Sequence, residues 1–510
     1  MKARSLDHRA DAPALRFLSP SFWRPEPTEA AAGRTARSDW GLGATGLALI
    51  GLCAAAALLS PQFDYEKELT QKPTLALVGL LMAAGALYLF GVATLVRSPG
   101  GRGRMAWVVG VGVVLRLLFI GSTPMLEDDF HRYLWDGAVA AHGFNPYAYA
   151  PKEFAQSAAE RGAGPARLRQ LAEESWPIVA RVNHAEMRST YPPVAQLAFA
   201  LAYRIRPWSV VVWRLTLLGF DVTVLALLIG VLRAVRLPAL LAGVYWWNPL
   251  LVKEIFNSGH MDVITLAFVM GAILLAVRGR HVWAAGALAL AVGAKLWPLV
   301  LAPLILRPTL PRPRRLALGV GVFAVLTGLF LWPIYAGGLD SGCGLRMYAK
   351  SWQNNDALFR SLVAIIGVVL ERVGSHAWHS QFVTRVVVCA LLGLWIGAMV
   401  RRPIRDGIDL CDRALWIVAG LFLLSPTQFP WYYLWLLPLL AIRPRLSLLT
   451  FTILLPLYYT RYFLEPRGGL PVFENGVVWV EHAPVWALLI GEWLARRSQR
   501  PGRKGMGTED

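Results

Sequence analysis

The sequence predicts an all-α membrane protein that crosses the bilayer many times. Hydrophobic residues make up 56% of the 510 positions, and charged residues only 16%. Apolar runs close to the ~20 residues that a membrane-spanning helix needs recur along the chain. A soluble domain could not bury so many of these runs. We therefore predict a bundle of about fourteen transmembrane helices, within two.

The net charge of +19 is explained by membrane topology. A soluble chain with this charge would be a candidate for nucleic-acid binding. Here the arginines collect in the short segments between apolar runs, which is the distribution expected of cytoplasmic loops. We therefore expect no nucleic-acid partner, and we use the basic segments to orient the chain with both termini in the cytoplasm.

A single membrane domain is predicted between two basic tails. Residues 1–40 form a cytoplasmic tail without a cleavable signal, 41–495 form the membrane domain, and 496–510 form the second tail. Counting sides from the N-terminus places two long polar loops outside, at 123–208 and 337–381. The first loop is predicted to fold into a cap of interfacial helices. Its helical patterns lie at 128–142, 165–174 and 193–205.

The four cysteines are predicted to form no disulfide. Cys53, Cys389 and Cys411 lie in or beside apolar runs, while Cys343 is predicted to be exposed in the second outer loop. A single exposed cysteine cannot pair with partners that are buried in the membrane domain.

The apolar stretch 282–306 is predicted to be a broken helix. Arginine-rich segments precede and follow it, and a single crossing would put one of them on the wrong side of the membrane. Gly293, Lys295 and Pro298 lie near its middle. Two short legs that meet at Lys295 satisfy both observations, and broken helices occur at membrane depth only where they line a cavity. Lys295 is therefore expected in a polar site; the alternative, a lysine that snorkels to the headgroups, is less suited to a mid-helix position.

Three consecutive carboxylates open the first outer loop, directly after the third apolar run. Glu127, Asp128 and Asp129 precede an amphipathic segment, 130–141, that has helical spacing. A carboxylate at the membrane edge can act as a general base that takes the proton from an attacking hydroxyl. The alternative is a solvated acidic loop. We favour the catalytic role because other unusual polar residues are predicted on the same face.

Those other residues are predicted to bind substrate. Cations at membrane depth can hold a lipid phosphate, and a base facing a cation-held phosphate is what transfer of a group from that phosphate requires, since phosphate is then the leaving group. The candidate phosphate ligands are Lys295, His260 and Lys253. The candidate contacts to the rest of the substrate are Arg132, Tyr191, Asn257, Asp262, Arg346 and Gln353.

A metal site is the remaining possibility for the carboxylates. Adjacent carboxylates suit a hard divalent cation, and His260 and Asp262 could complete such a site. Three consecutive side chains at the start of a helix point in different directions, however. We therefore predict no metal and no other cofactor.

At these motifs the chain resembles the GT-C superfamily of integral-membrane glycosyltransferases, and within it the bacterial polyprenol-phosphate-mannose-dependent mannosyltransferases. The resemblance covers roughly residues 105–440. The matching motifs are RYLWDG followed by GFNPY and AP, YPP at 191–193, NSGH with Asp262, AKLWP around Lys295, and SPTQFPWYYLW at 425–435.

The resemblance implies a GT-C-like bundle that moves a sugar, with mannose favoured, from a polyprenyl-phosphate donor to a lipid or glycan acceptor. Transfer would invert the anomeric carbon, without a metal, on the outer face of the bacterial plasma membrane. Carried onto this chain, the base is Asp128 or Asp129, with Glu127 next; we favour Asp128. Lys295, helped by His260, would contact the donor phosphate.

A multi-pass transporter or flippase of lipid-linked or small polar substrates is the main alternative, and a scaffold for envelope assembly is a third. A transporter favours polar residues spread through mid-membrane helices and two similar halves. In this sequence the polar residues gather on one face, and the halves show no similarity. Asp221, in the fourth apolar run, is the intramembrane acid that the transferase hypothesis leaves without a role.

Overall fold

The regular structure of this chain is helical, which confirms the predicted all-α class. The computed structural model describes residues 22, 35–155, 164–374, 376 and 379–498. Within this part the helices of eight or more residues are α1 (Thr35–Leu59), α2 (Thr74–Arg97), α3 (Arg102–Ile120), α4 (Phe130–Ala141), α5 (Ala166–Glu174), α6 (Pro193–Ile205), α7 (Val210–Ala234), α8 (Asp262–Val277), α9 (His281–Ala294), α10 (Pro313–Ala336), α11 (Gly344–Ser351), α12 (Leu358–Arg372), α13 (Ser380–Val400), α14 (Gly407–Leu424) and α15 (Val478–Ser498).

Shorter helical segments connect these helices. The short α-helices are Lys152–Ala155, Trp176–Val179, Gly243–Trp246, Pro249–Val252, Ala302–Leu306, Pro430–Tyr433, Leu437–Ile442, Leu446–Leu449, Phe451–Leu454, Thr460–Leu464 and Leu470–Val472. The 3-10 segments are Ser60–Phe63, Leu69–Gln71, Ala239–Ala242, Trp297–Leu301, Arg307–Thr309, Leu434–Leu436, Leu455–Tyr459 and Glu465–Arg467, and the π-helical segments are Lys253–Asn257 and Phe473–Val477.

Six helices in the described part are long and apolar enough to cross a membrane, which confirms a polytopic membrane protein. They are α1 with its 3-10 extension, α2, α3, α7, α10 and α13. Three shorter apolar helices, α8, α9 and Pro430–Ile442, accompany them. The total of about fourteen crossings exceeds these helices and stays a prediction.

Several predicted crossings are interrupted rather than regular. The apolar run 238–253 is split at Asn248, whose side chain accepts a hydrogen bond from the amide of Leu251 at 2.9 Å and so caps the segment that begins at Pro249. Proline lacks the amide hydrogen that a continuous helix would need, and it therefore starts a new helical segment here. Residues 240–253 are buried, so other helices shield their backbone from lipid.

The predicted break at Lys295 is confirmed. Helix α9 ends at Ala294, and Lys295 has an extended backbone (φ −157°, ψ 142°). A 3-10 segment with Pro298 follows at Trp297–Leu301. The break turns the lysine side chain away from the helix axis and into the interior, because a residue in extended conformation no longer follows the helical repeat.

Helices α7, α8 and α9 pack side by side, and α1, α2 and α3 form a second group. Arg116 of α3 and Asp221 of α7 join the two groups through a 2.6 Å ion pair in which both side chains are fully buried. Tyr245 donates a hydrogen bond to the other oxygen of Asp221. Removing one partner of such a pair would leave an uncompensated charge. Asp221 therefore has a structural role, and a transporter is not needed to explain it.

The described residues of the loop 123–208 contain the predicted cap helices. Helices α4, α5 and α6 correspond to the three predicted helical patterns. Helix α4 packs against α6 so closely that a Cβ on Gly137 would lie 2.5 Å from the carbonyl oxygen of Phe199. A separate small core lies beneath the cap, formed by Trp135, Val139, Phe154, Leu168, Leu171, Ala172, Val179 and Val182. This packing fixes the N-terminal end of α4, where the three carboxylates lie.

The predicted exposure of Cys343 is wrong. Cys343 is buried against Tyr147 and Ile334. The loop that contains Cys343 folds back onto the loop 123–208, and the amide of Arg188 donates to the carbonyl of Gly342 at 3.2 Å. The four cysteines are all free thiols. A loop that looks polar in sequence is here covered by another loop, which local sequence does not reveal.

Candidate active site

A cavity of about 810 Å³ lies at the end of the bundle that carries the cap. Its walls come from the residues before α4, the segment between α5 and α6, the break after α9, helix α11 with the loop that follows it, and the C-terminal aromatic segments. Of the residues predicted from sequence, it is lined by Glu127, Asp128, Asp129, Lys295, Arg132, Tyr191 and Gln353. The residues predicted as base and the lysine predicted as phosphate ligand therefore share one cavity.

Each of the three carboxylates has different neighbours. Glu127 is buried and accepts a hydrogen bond from the hydroxyl of Tyr462 at 3.1 Å. Asp128 accepts a hydrogen bond from the side-chain amide of Asn183. Asp129 precedes α4, and its Oδ2 atom lies 3.5 Å from the hydroxyls of both Tyr133 and Tyr191. The consecutive carboxylates thus point to different sides of the cavity, as expected at the start of a helix.

Burial raises the pKa of all three carboxyl groups, because it disfavours their charged form. The pKa of Asp128 rises to about 6 through burial and the neighbouring charge of Asp129, against which the hydrogen bond from Asn183 acts. Burial also raises the pKa of Asp129, opposed chiefly by the positive charge of Lys295. The pKa of Glu127 is raised well above its ordinary value by burial. A general base works best with a pKa near the working pH, so these shifts suit the two aspartates to proton uptake.

Lys295 lines the cavity and forms an ion pair with Asp262. Its ammonium lies 2.7 Å from Oδ1 of Asp262, the first residue of α8, and 4.4 Å from the ring centre of Tyr432. The indole of Trp435 donates to the same carboxylate oxygen at 2.6 Å. Asp262 is buried behind the lysine and does not line the cavity. Its carboxylate therefore contacts Lys295 and Trp435 and not the cavity.

His260, Lys253 and Asn257 are fully buried and lie behind the cavity wall. Nδ1 of His260 lies 3.7 Å from Oδ2 of Asp129. Asn257 donates to Ser122 and Thr123 and accepts from the amide of Met125, and so it holds the segment that leads to the carboxylates. The structure therefore places none of these three predicted ligands where it would touch a substrate in the cavity.

Three other predicted substrate contacts have clear local roles. Arg132 lines the cavity, but its guanidinium donates to the carbonyls of Asn183, His184 and Met187 and so supports that loop. Gln353 lines the cavity and donates to Asp356 at 3.1 Å. Arg346 is exposed and does not line the cavity; its guanidinium donates to the carbonyl of Leu339.

Sequence reasoning missed the lining residues that come from the C-terminal part of the chain. Arg461 is a further cation on the cavity wall, where it donates to Asn354 at 3.0 Å and pairs with Glu465 at 3.3 Å. The clustering of tyrosines and arginines in YYTRYFLEPR, between two apolar runs, was the available signal. Among the other lining residues that were not predicted as site residues are Asn183 and the aromatic side chains Tyr348, Phe429, Trp431, Tyr432, Trp435, Tyr458 and Tyr462.

The described residues include no group of three or more His, Cys, Asp or Glu side chains arranged to hold a metal ion. Of the acidic residues that line the cavity, Glu127, Asp128 and Asp129 each have their own polar neighbours. The expectation of a reaction without a metal or other cofactor stays a prediction.

Comparisons with known proteins point to one family. The sequence model described as "Alpha-(1->6)-mannopyranosyltransferase, N-terminal domain" matches residues 40–308. This range includes the three carboxylates and Lys295 but ends before Arg461. A curated relative, alpha-(1->6)-mannopyranosyltransferase A of Corynebacterium glutamicum, is 24% identical over 383 residues, which are 67% of this chain and 73% of that protein. No solved structure matches the chain.

Proposed function

The chain belongs to the alpha-(1->6)-mannopyranosyltransferase family, and on that premise we propose that it moves mannose from a polyprenyl-phosphate donor to a lipid or glycan acceptor. The acceptor would lie on the outer face of the membrane, and the new bond would be an α-(1→6) linkage. Inversion at the anomeric carbon would form this α-linkage from a β-linked donor. The enzyme is then a membrane-embedded hexosyltransferase.

One observation carries the proposal: carboxylates with raised pKa values share a cavity with Lys295. An aspartate, either Asp128 or Asp129, takes the proton from the acceptor hydroxyl as its oxygen attacks the anomeric carbon. The bond from that carbon to the phosphate oxygen breaks, and the electron pair leaves with the phosphate. Lys295 stabilises the negative charge that the phosphate gains, which lowers the barrier because this interaction is stronger after the bond has begun to break.

Arg461 supplies a second positive charge for the phosphate. Lys295 is paired with the buried Asp262, which offsets part of its charge, as Glu465 does for Arg461. The Arg461 side chain is about one-third exposed and its partner Glu465 is nearly half exposed, so this pair is accessible to a ligand. A guanidinium can hold two phosphate oxygens at once, which a lysine ammonium cannot do with the same geometry.

The direct test is mannosyl transfer by the purified full-length protein in proteoliposomes. Labelled polyprenyl-phosphate mannose and a membrane extract containing acceptors are the substrates, and product linkage is determined by mass spectrometry and methylation analysis. We expect transfer by the natural protein. Loss of the aspartate that acts as base is expected to lower kcat by about 10²- to 10⁴-fold.

Asp128→Asn and Asp129→Asn are therefore compared with Asp340→Asn, which removes an exposed carboxylate outside the cavity. The control is expected to transfer at the natural rate. Normal rates in both cavity variants would contradict the base assignment, and absence of any mannosyl product with the natural protein would contradict the proposed donor or acceptor.

A further inference from the structure

A line of buried ionisable groups runs from Asp129 into the protein, away from the cavity. Nδ1 of His260 lies 3.7 Å from Oδ2 of Asp129, and Nε2 of the same ring lies 3.4 Å from Oε2 of Glu254. Asp129 faces the cavity, whereas His260 and Glu254 are fully buried. The imidazole thus connects a carboxylate on the cavity wall with a second carboxylate that has no access to solvent.

The two nitrogens of His260 make no hydrogen bond to any other group in the described structure. Oε2 of Glu254 likewise has no hydrogen-bond partner there. Buried polar atoms are normally paired, so unpaired ones need a functional or structural explanation. The ring is held in place by stacking on Trp431, with ring centres 3.9 Å apart and planes within 14°. A ring fixed in this way can donate from Nε2 to the ionised Glu254, and its Nδ1 can accept from Asp129 once Asp129 is protonated, after a shift of less than 1 Å.

Positive charge lies next to the inner end of the line. The ammonium of Lys253 is 3.5 Å from Oε1 of Glu254, and the hydroxyl of Tyr459 donates to that same carboxylate oxygen. Lys253 and Tyr459 also contact each other. These groups stabilise an ionised Glu254, because a buried carboxylate needs a compensating charge and hydrogen bonds. His260 also interacts electrostatically with the positive charges of Lys253 and Lys295.

We propose that His260 and Glu254 are positioning residues that make Asp129, rather than Asp128, the general base. This inference rests on the proposed mannosyl transfer and goes beyond it by selecting the base. Asp128 has no such support: its carboxylate is held by Asn183 at the cavity rim. Glu254 orients His260 by accepting a hydrogen bond from Nε2, which leaves Nδ1 as the acceptor that faces Oδ2 of Asp129, in the way a carboxylate orients a catalytic imidazole in other acid–base sites.

The proton also has a destination along this line. Asp129 takes the proton from the acceptor hydroxyl as the new bond to the anomeric carbon forms and the bond to phosphate breaks. The proton passes to Nδ1 of His260, whose Nε2 proton moves to Glu254. Asp129 is then ionised again, and the proton returns along the same groups to water in the cavity after the products leave. No oxidant, reductant or further reactant is required.

The test is a double-mutant cycle on mannosyl transfer by the full-length protein. Glu254→Gln keeps the size of the side chain and removes its charge, and His260→Ala removes the ring. We expect each to lower kcat by at least about tenfold while the donor KM changes by less than about threefold, because neither residue lines the cavity. Added imidazole is expected to restore part of the activity of His260→Ala.

Coupling to Asp129 is the decisive readout. In an Asp129→Asn background, His260→Ala and Glu254→Gln are expected to cause no further loss, whereas in an Asp128→Asn background they cause their full loss. The matched control is His482→Ala, which removes another fully buried histidine that lies outside the cavity. It is expected to leave kcat unchanged, which shows that loss of a buried ring alone does not lower the rate.

Equal effects of His260→Ala in both backgrounds, or a natural kcat in Glu254→Gln, would overturn the inference. If His260→Ala fails to fold, as judged by gel filtration in detergent, Glu254→Gln alone decides, since it preserves the shape of the site. An inactive natural protein would instead contradict the proposed function, so the two failures are distinguishable.

Discussion

The pKa of Asp128 shows how neighbouring residues set the chemistry of single side chains. Burial and the charge of Asp129 raise it to about 6, while the hydrogen bond from Asn183 acts in the opposite direction. The same amide also lowers the pKa of Asp129. Asn183 lies more than fifty positions along the chain from either aspartate. Sequence could predict that the three carboxylates matter, but not which neighbours tune them.

Asn183→Ala is expected to shift the acid side of the pH–rate profile to higher pH. The hydrogen bond from Asn183 favours the ionised carboxylates, so its loss raises the pKa of both aspartates. A base must be ionised to act, and kcat/KM rises as pH increases through its pKa. Activity should therefore fall more at pH 6 than at pH 8. The measurement is kcat/KM between pH 5 and 9.

Glu174→Gln, which removes an exposed charge on α5, is the control and should keep the natural pH profile. An unchanged acid side of the profile in Asn183→Ala would contradict the role of this hydrogen bond.

Lys295→Met is expected to raise the donor KM and lower kcat, with a much smaller change in the acceptor KM. The reason is that, in the proposed mechanism, the ammonium faces the leaving phosphate and not the acceptor hydroxyl. The substitution keeps a linear side chain but leaves Asp262 without its ion-pair partner. Asp262→Asn is therefore the companion variant, and it should show a similar but smaller effect. Initial rates over a matrix of donor and acceptor concentrations give both KM values. Equal increases in the donor KM and the acceptor KM would argue against a contact between Lys295 and the phosphate.

At the scale of elements, the position of α4 decides where the carboxylates lie. Its close contact with α6 depends on Gly137, because no other side chain fits beside the Phe199 carbonyl. The break after α9 brings Lys295 to the same cavity. Helical periodicity predicted α4 and α6, and the charge of the flanking segments predicted the break after α9. The distance between the carboxylates and Lys295 depends on how α4, α6 and α9 pack, and a periodic pattern does not contain this information.

Gly137→Ala is expected to destabilise the protein by about 1–3 kcal/mol and to lower kcat. The added Cβ would lie 2.5 Å from a backbone oxygen that cannot rotate away, so α4 must move relative to α6. Thermal unfolding in detergent and the transfer assay measure the two effects.

Gly219→Ala is the matched control, because this glycine lies within α7 with nothing within 4 Å of an added Cβ. It should be neutral or slightly stabilising. A natural rate in Gly137→Ala would show that the α4–α6 contact does not set the catalytic geometry.

At the scale of the whole molecule, the exposed apolar residues of the long helices indicate which surfaces face lipid. In the most apolar windows of α10 and α13 only 11% of residues are buried inside the protein, compared with 50% in α2. Exposed apolar helices of this length are stable only within a bilayer. The side of the membrane on which the cavity opens is predicted from the distribution of the basic segments.

The predicted orientation can be tested by cysteine labelling in intact cells. Lys67 is exposed in the turn between α1 and α2, and Arg280 is exposed in the turn between α8 and α9. In a Cys389→Ser background, Lys67→Cys should react with a membrane-impermeant maleimide added outside, because this turn is predicted to lie on the same side as the cavity. Arg280→Cys should react only after permeabilisation. The reverse pattern would place the active site in the cytoplasm.

The sequence by itself determined the all-α membrane class, the helical cap, the break at Lys295 and the set of carboxylates. These properties depend on local periodicity, charge distribution and chain breakers, which act over fewer than about 20 residues. Only the tertiary structure decided that Asp262 supports Lys295, that Arg461 joins the cavity wall, that Cys343 is buried, and that His260 lies between Asp129 and Glu254. Those relationships depend on the packing of distant segments, and the hydrophobic pattern of each segment is compatible with many such packings.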